Sequence, residues 1–90
     1  MQLTPTERIA AYERETRERV VADAERRLPD RLYLSIGEVA AVLSVSEKTV
    51  IRMIKSGSLC EARINGGRRL PRGDVLEFIR RSLRPARFRG

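Results

Sequence analysis

The apolar positions of this chain change rhythm along its length, and the changes mark out its elements. Ile36, Val39, Ala40 and Leu43 recur at the three-and-four spacing that gathers side chains on one face of an α-helix. Ser35, with Glu38 three residues on, forms a capping box ahead of them, so a helix is expected over residues 36–43. Ser44 and Val45 make a turn, and Ser46 caps a second helix over residues 47–56 that ends at Gly57 as a left-handed residue. In that helix Val50, Met53 and Ile54 point inward together, which leaves Glu47, Lys48, Ile51, Arg52 and Lys55 outside. Residues 59–64 and 67–70 then flank Asn65-Gly66, the dipeptide that best satisfies the positive φ angles of a two-residue type I′ hairpin. Beyond Pro71, the stripe Val75, Phe78, Ile79 and Leu83 predicts a last helix over residues 73–83. Pro85 stops it, and residues 86–90 form a basic, poorly ordered tail.

Ahead of these elements, Thr4-Pro5-Thr6-Glu7 combines a capping box with a proline at the first helical position, where a missing N–H costs nothing. A long helix is expected from there to about Leu28, ended by Pro29. The pairs Glu13/Arg17, Glu15/Arg19 and Asp23/Arg27 place the acid four residues before the base, the better orientation for support along a helix. Its apolar row, Ile9, Tyr12, Thr16, Val20, Ala24 and Leu28, is thin; Thr16, Arg19 and Asp23 interrupt any heptad seam, so a regular coiled coil is not expected. The row is expected to pack on the following body, its own or a neighbour's. The resulting division is a charged helix over residues 1–30, a folded body over 31–84 and a tail over 85–90. Ninety residues suffice for one small core and no second.

Charge changes the picture. Residues 1–30 hold six Arg and seven acidic residues, a net of −1, whereas residues 31–90 hold thirteen basic and five acidic, a net of +8; together they give +7. A basic body behind a near-neutral leader is the electrostatic footprint of a polyanion partner. Seventeen of the basic residues are Arg, whose planar fork grips phosphate or guanine bidentately. Cys60 is the only cysteine and histidine is absent, so neither an intrachain disulfide nor a cysteine-rich zinc site is available, and no metal or other cofactor is expected. The same poverty argues against an enzyme: no nucleophile and base can be assembled by spacing. No stretch reaches the length of a membrane span or the apolar region of a signal peptide, so no membrane partner is expected and the reading places the chain in the cytoplasm of a bacterial host, associated with the nucleoid.

A helix fits the DNA major groove, which makes the outer face of residues 46–55 the natural reader of base edges. There Arg52 can bridge guanine O6 and N7, Lys48 and Thr49 can reach bases or phosphate, Ile51 can meet a thymine methyl, and Glu47 can accept from cytosine N4, with Ser46 and Lys55 at the two ends. The hairpin offers Arg63, Asn65, Gly66, Gly67, Arg68 and Arg69, its small tip allowing close backbone approach and an Arg beside it suiting a narrow minor groove. Strand alternation is expected to put Arg63 and Arg69 on one face and Arg68 on the other. Arg80, Arg81, Arg84, Arg87 and Arg89, with Phe88 between the last two, form a third cluster suited to phosphate or to an acidic protein face.

The run L-S-I-x-E-V-A from Leu34, V-S-x-x-T-V from Val45, R-x-I-K-S-G from Arg52, R-I at Arg63 and R-L-P-R-x-D from Arg69 resembles the winged helix-turn-helix unit of phage excisionases and MerR-type regulators. The resemblance implies a mainly α fold with a small β-hairpin, a winged helix-turn-helix preceded by a long N-terminal helix. It implies the second helix in the major groove and the wing in the minor groove, with Lys48, Thr49, Arg52, Arg63 and Arg69 as contacts. Three departures stand out: Ser44 occupies a turn position where the group often has Gly or Asn, Arg68 replaces an aromatic of the second wing strand, and Cys60 stands where Pro is common. Small basic members of the group look like recombination directionality factors, which bind repeated sites on double-stranded DNA cooperatively, bend it, and bias a tyrosine integrase toward prophage excision. The expected function is accordingly a DNA-binding excisionase with an integrase partner, self-associating on DNA or through the N-terminal helix. Two alternatives are a small MerR-like transcriptional regulator and a protein-interaction adaptor that keeps the fold.

Overall fold

The computed structural model describes residues 4–83. Thr4 and Glu7 close the first capping box: the Thr4 hydroxyl accepts from the Glu7 N–H at 3.2 Å, and the Glu7 carboxylate accepts from the Thr4 N–H at 3.3 Å. Helix α1 (Pro5–Arg27) follows and stops at Leu28, ahead of Pro29. A short strand β1 (Tyr33–Leu34) leads into α2 (Ile36–Leu43), whose own box joins Ser35 and Glu38 at 3.1 and 2.8 Å. Then come α3 (Glu47–Lys55), β2 (Ala62–Ile64), β3 (Gly67–Pro71) and α4 (Arg72–Ser82).

The sheet is antiparallel in the order β1-β3-β2. Asn65 and Gly66 hold φ of 51° and 77°, as a type I′ turn requires. The hairpin is shorter than the sequence suggests on its first side, starting at Ala62 rather than residue 59. Leu59 is drawn into the core, and the Cys60 N–H is taken by Asp74 Oδ2 at 2.7 Å, so this stretch has no ladder to join. Strand β1 was not expected, since two residues cannot express a period of two. It exists because Leu34 and Tyr33 lie opposite Leu70 and Pro71 on the free edge of β3.

Five side chains with almost no solvent contact, Leu34, Val39, Val50, Leu70 and Val75, come one each from β1, α2, α3, β3 and α4 and tie these elements to a single centre. Val21, Ala24 and Leu28 extend this core to the C-terminal part of α1. The expected apolar row of α1 therefore packs only at its end: Ala24 and Leu28 are buried, Val21 from outside the row joins them, and Ile9 and Tyr12 remain 60% and 70% exposed. Of the three expected acid–base pairs, Asp23–Arg27 forms at 3.0 Å, with Arg26 sharing the same carboxylate. Glu13/Arg17 and Glu15/Arg19 do not close among the described residues; such a pair on a helix surface gains only a few tenths of a kcal/mol by doing so.

Arg72, the second arginine of the R-L-P-R-x-D run, fastens α1 to the body. Its Nη2 donates to the Glu25 carbonyl at 2.8 Å, its Nε to the Pro29 carbonyl at 3.1 Å, and its backbone N–H to the Leu32 carbonyl at 2.9 Å. A cation thus sits where the last carbonyls of α1 lack helical partners and the helix dipole is negative.

Candidate nucleic-acid interface

Two short helices set the geometry of the candidate site. Ser44, between them, adopts the left-handed conformation (φ 58°, ψ 42°), and the Val45 N–H reaches back to the Ala40 carbonyl at 3.0 Å. This sharp reversal sends the chain into Ser46, whose hydroxyl accepts from the Thr49 N–H at 3.1 Å and lies 2.9 Å from the Thr49 hydroxyl. Val50 then anchors α3 in the core with Met53 and Ile54 half-buried beside it. At 100° per residue, Lys48, Ile51, Arg52 and Lys55 share an arc of about 100° turned away from Val50. Lys48, Arg52 and Lys55 are exposed and carry no ion-pair partner among the described residues. Ile51 is half-buried at one edge of the arc, Thr49 is half-buried about 60° beyond the other, and the Glu47 carboxylate leans back over Gly37 of α2 rather than along the arc.

The wing differs from its sequence reading. The register pairs Arg63 with Arg68 and Ala62 with Arg69, so Arg63 and Arg68 share a face and Arg69 takes the other. In a hairpin closed by a two-residue turn, cross-strand partners are equidistant from the turn, and directly opposed side chains point the same way. Glu61, not foreseen as a participant, holds both arginines of that face: Arg63 Nε at 3.1 Å and Arg68 Nε at 3.3 Å. Arg69 folds along its own strand, its Nη1 donating to the Arg68 carbonyl at 2.8 Å and lying close above Gly67. Asn65 and Gly66 are exposed at the tip.

In the third cluster, Arg80 is exposed, while Arg81 donates from Nη2 to the Ser58 carbonyl at 3.4 Å and ties α4 to the base of the wing. Arg84, Arg87, Phe88 and Arg89 lie outside the described residues. Close by, Cys60 is exposed, and the Asp74 carboxylate, which hydrogen-bonds the thiol and repels a negative charge on it, raises the thiol above its ordinary range against a smaller opposing pull from Arg81. Among the described residues no cluster of His, Cys, Asp or Glu is arranged to hold a metal ion, and no helix is long and apolar enough to cross a membrane.

A tight helical pair, an outward cationic arc on its second helix and an arginine-bearing hairpin define a winged helix-turn-helix protein. The chain belongs to a helix-turn-helix domain family whose model matches residues 33–82, and it carries a DNA-binding domain of that kind. It is similar to three uncharacterized mycobacterial proteins, Mb2337 of Mycobacterium bovis and MT2372 and Rv2310 of Mycobacterium tuberculosis. Each is 42% identical over 50 residues, which is 56% of this chain and 44% of the relative. The chain thus spans less than half the length of the curated relatives it matches. No solved structure matches it.

Proposed function

We propose that the chain binds double-stranded DNA sequence-specifically, with α3 in the major groove and the β2–β3 wing in the adjacent minor groove. The observation that carries this reading is the arc of α3: Lys48, Arg52 and Lys55 project together without ion-pair partners among the described residues, at the position of a recognition helix. Arg52 reads guanine, Ile51 meets a thymine methyl at the edge of the arc, and Lys48 and Lys55 hold phosphate. Arg63, Arg68 and Arg69 grip the backbone and minor groove from two faces of the wing, with Asn65, Gly66 and Gly67 permitting close approach. Arg80 and the arginines beyond residue 83 add sequence-blind affinity.

Within this reading the biological role is that of an excisionase: an architectural protein that fills repeated sites cooperatively, bends DNA and turns a tyrosine integrase toward excision. The resemblance across residues 34–82 supports it. A second role, a small transcriptional regulator bound as a dimer, is favoured by the exposed Ile9 and Tyr12 of α1, which suit contact between copies.

Selection of bound sequences from a random duplex pool, followed by gel-shift titration of the winner, tests the proposal. Arg52→Ala is expected to cost about 1–3 kcal/mol of discrimination at one or two base positions. An effect of Arg52→Ala on the salt slope alone would remove α3 from base reading. Failure to enrich any sequence, with binding that survives high salt, would point to a protein-interaction adaptor.

A further inference from the structure

On the wing, one acid serves two cations. Glu61 Oε1 lies 3.1 Å from Arg63 Nε and Glu61 Oε2 lies 3.3 Å from Arg68 Nε, so each carboxylate oxygen takes one guanidinium. A single carboxylate reaches both because Arg63 and Arg68 are cross-strand partners, whose side chains stand together on one face. That face has an inner and an outer end. Arg68 and Leu70 share it along β3, and Leu70 is fully buried, so it runs from the core out toward the tip. Glu61, two residues before Arg63, stands at the inner end, and its side chain is 24% exposed against 59% for Arg63 and 32% for Arg68. The carboxylate therefore lies behind the two cations rather than over them. It engages Nε of each and leaves the terminal Nη atoms, which have no hydrogen-bond or ion-pair partner among the described residues.

We infer that Glu61 is a positioning residue of the DNA site: it holds the Arg63 and Arg68 forks side by side to grip a backbone phosphate, and so makes the wing selective among DNA sequences. Each fork keeps its Nη edge, which donates in parallel to two phosphate oxygens. Ordering a long arginine side chain on binding costs rotamer entropy, and Glu61 has both arginines in place before DNA arrives. Its charge matters as well as its reach. The trio carries a net +1 where two unopposed arginines would carry +2, which weakens the sequence-blind attraction for any duplex. A pre-set pair makes its full contact only where groove shape brings a phosphate to it, and that shape depends on sequence. Selectivity is the difference between the two affinities, so an acid that lowers the blind one and preserves the fitted one raises it. Arg69 stands outside this arrangement, on the other face and donating to its own strand. The assignment rests on the DNA-binding reading of the wing.

Glu61→Gln keeps the shape of the side chain, removes its charge and leaves one acceptor oxygen in place of two. In gel-shift titrations against the selected duplex and a scrambled one, the scrambled duplex should be bound more tightly than by the unmodified chain. The ratio of the two affinities should fall about threefold or more. Glu61→Asp keeps the charge but falls one methylene short of the arginines, and should restore weak binding to the scrambled duplex with an intermediate ratio. With Arg63→Ala and Arg68→Ala already in place, Glu61→Gln should leave the ratio unchanged. Equal tightening on both duplexes, equal weakening with a lowered melting temperature, or the same fall in ratio without the two arginines would each overturn the positioning role.

A second measurement needs no DNA. By NMR of the unmodified chain, the Arg63 Nε–H, which donates to Glu61, should exchange with water more slowly than that of exposed Arg80, and Glu61→Gln should abolish the difference. Equal rates in the unmodified chain would overturn the hold itself. A chain that prefers no duplex would defeat the DNA-binding reading and the selectivity with it, whereas the exchange rates judge the hold of Glu61 by themselves.

Discussion

Ser44 pays a conformational cost at the turn that orients the recognition helix, and replacing it by glycine isolates that cost. At φ 58° and ψ 42° the Cβ of an L-residue crowds the following carbonyl, which costs about 1–2 kcal/mol; glycine has no Cβ and avoids it. Against this stands the greater freedom of glycine in the unfolded chain, about 0.4–1 kcal/mol. Ser44 is exposed, so its side chain leaves no cavity behind. Between the middles of the two ranges, the net expectation for Ser44→Gly is stabilisation by about 0.8 kcal/mol, or roughly 3–6 °C in melting temperature for a domain of this size. Ser44→Val, β-branched in the same conformation, should instead destabilise. Thermal unfolding followed by circular dichroism, with a gel shift on the selected DNA site, gives both readouts. DNA affinity should stay level, because α2 and α3 keep their relative placement. A lowered melting temperature for Ser44→Gly would refute the claim that the turn is strained.

Three further substitutions probe other joints of the structure. Arg72→Ala removes two charged hydrogen bonds to the end of α1 and should cost about 2 kcal/mol, with amide exchange accelerated at residues 21–27 before α2 and α3; uniform acceleration would mean that Arg72 does not act as a local fastening. Glu61→Gln releases Arg63 and Arg68 and should steepen the salt dependence of DNA affinity by about one unit of log–log slope, with little change in stability; an unaltered slope would show that Glu61 does not compete with phosphate for the wing. Asp74→Asn takes away the charge that holds the Cys60 thiol protonated, so thiolate is present at lower pH and alkylation at pH 8 should speed up. An unchanged rate would count against Asp74 as the cause of the raised thiol pKa.

Much of the fold was legible because the decisive interactions are short in sequence. Each capping box spans four residues, the Ser46 cap reaches only to Thr49, and Asn65-Gly66 carries its own backbone preference. The periodicity of Val39, Ala40, Val50, Val75 and Ile79 likewise named buried faces correctly, because an amphipathic helix has one side to hide. The outward set Lys48, Ile51, Arg52 and Lys55 followed as the remainder of α3. The wing faces were misassigned for want of a register: parity along one strand is visible in sequence, but which residue opposes which depends on where the hairpin closes.

Other features required the chain to come together. Strand β1 is too short to signal itself and is created by the edge of β3; Arg72 reaches carbonyls more than forty residues away in sequence; Glu61 joins two arginines whose shared face only the register determines. The row of α1 shows the same division. Its residues and spacing are properties of the sequence alone. Which of them are covered is decided by the angle at which the helix docks on α4, for burial belongs to a pair of surfaces and a single helix holds only one of them.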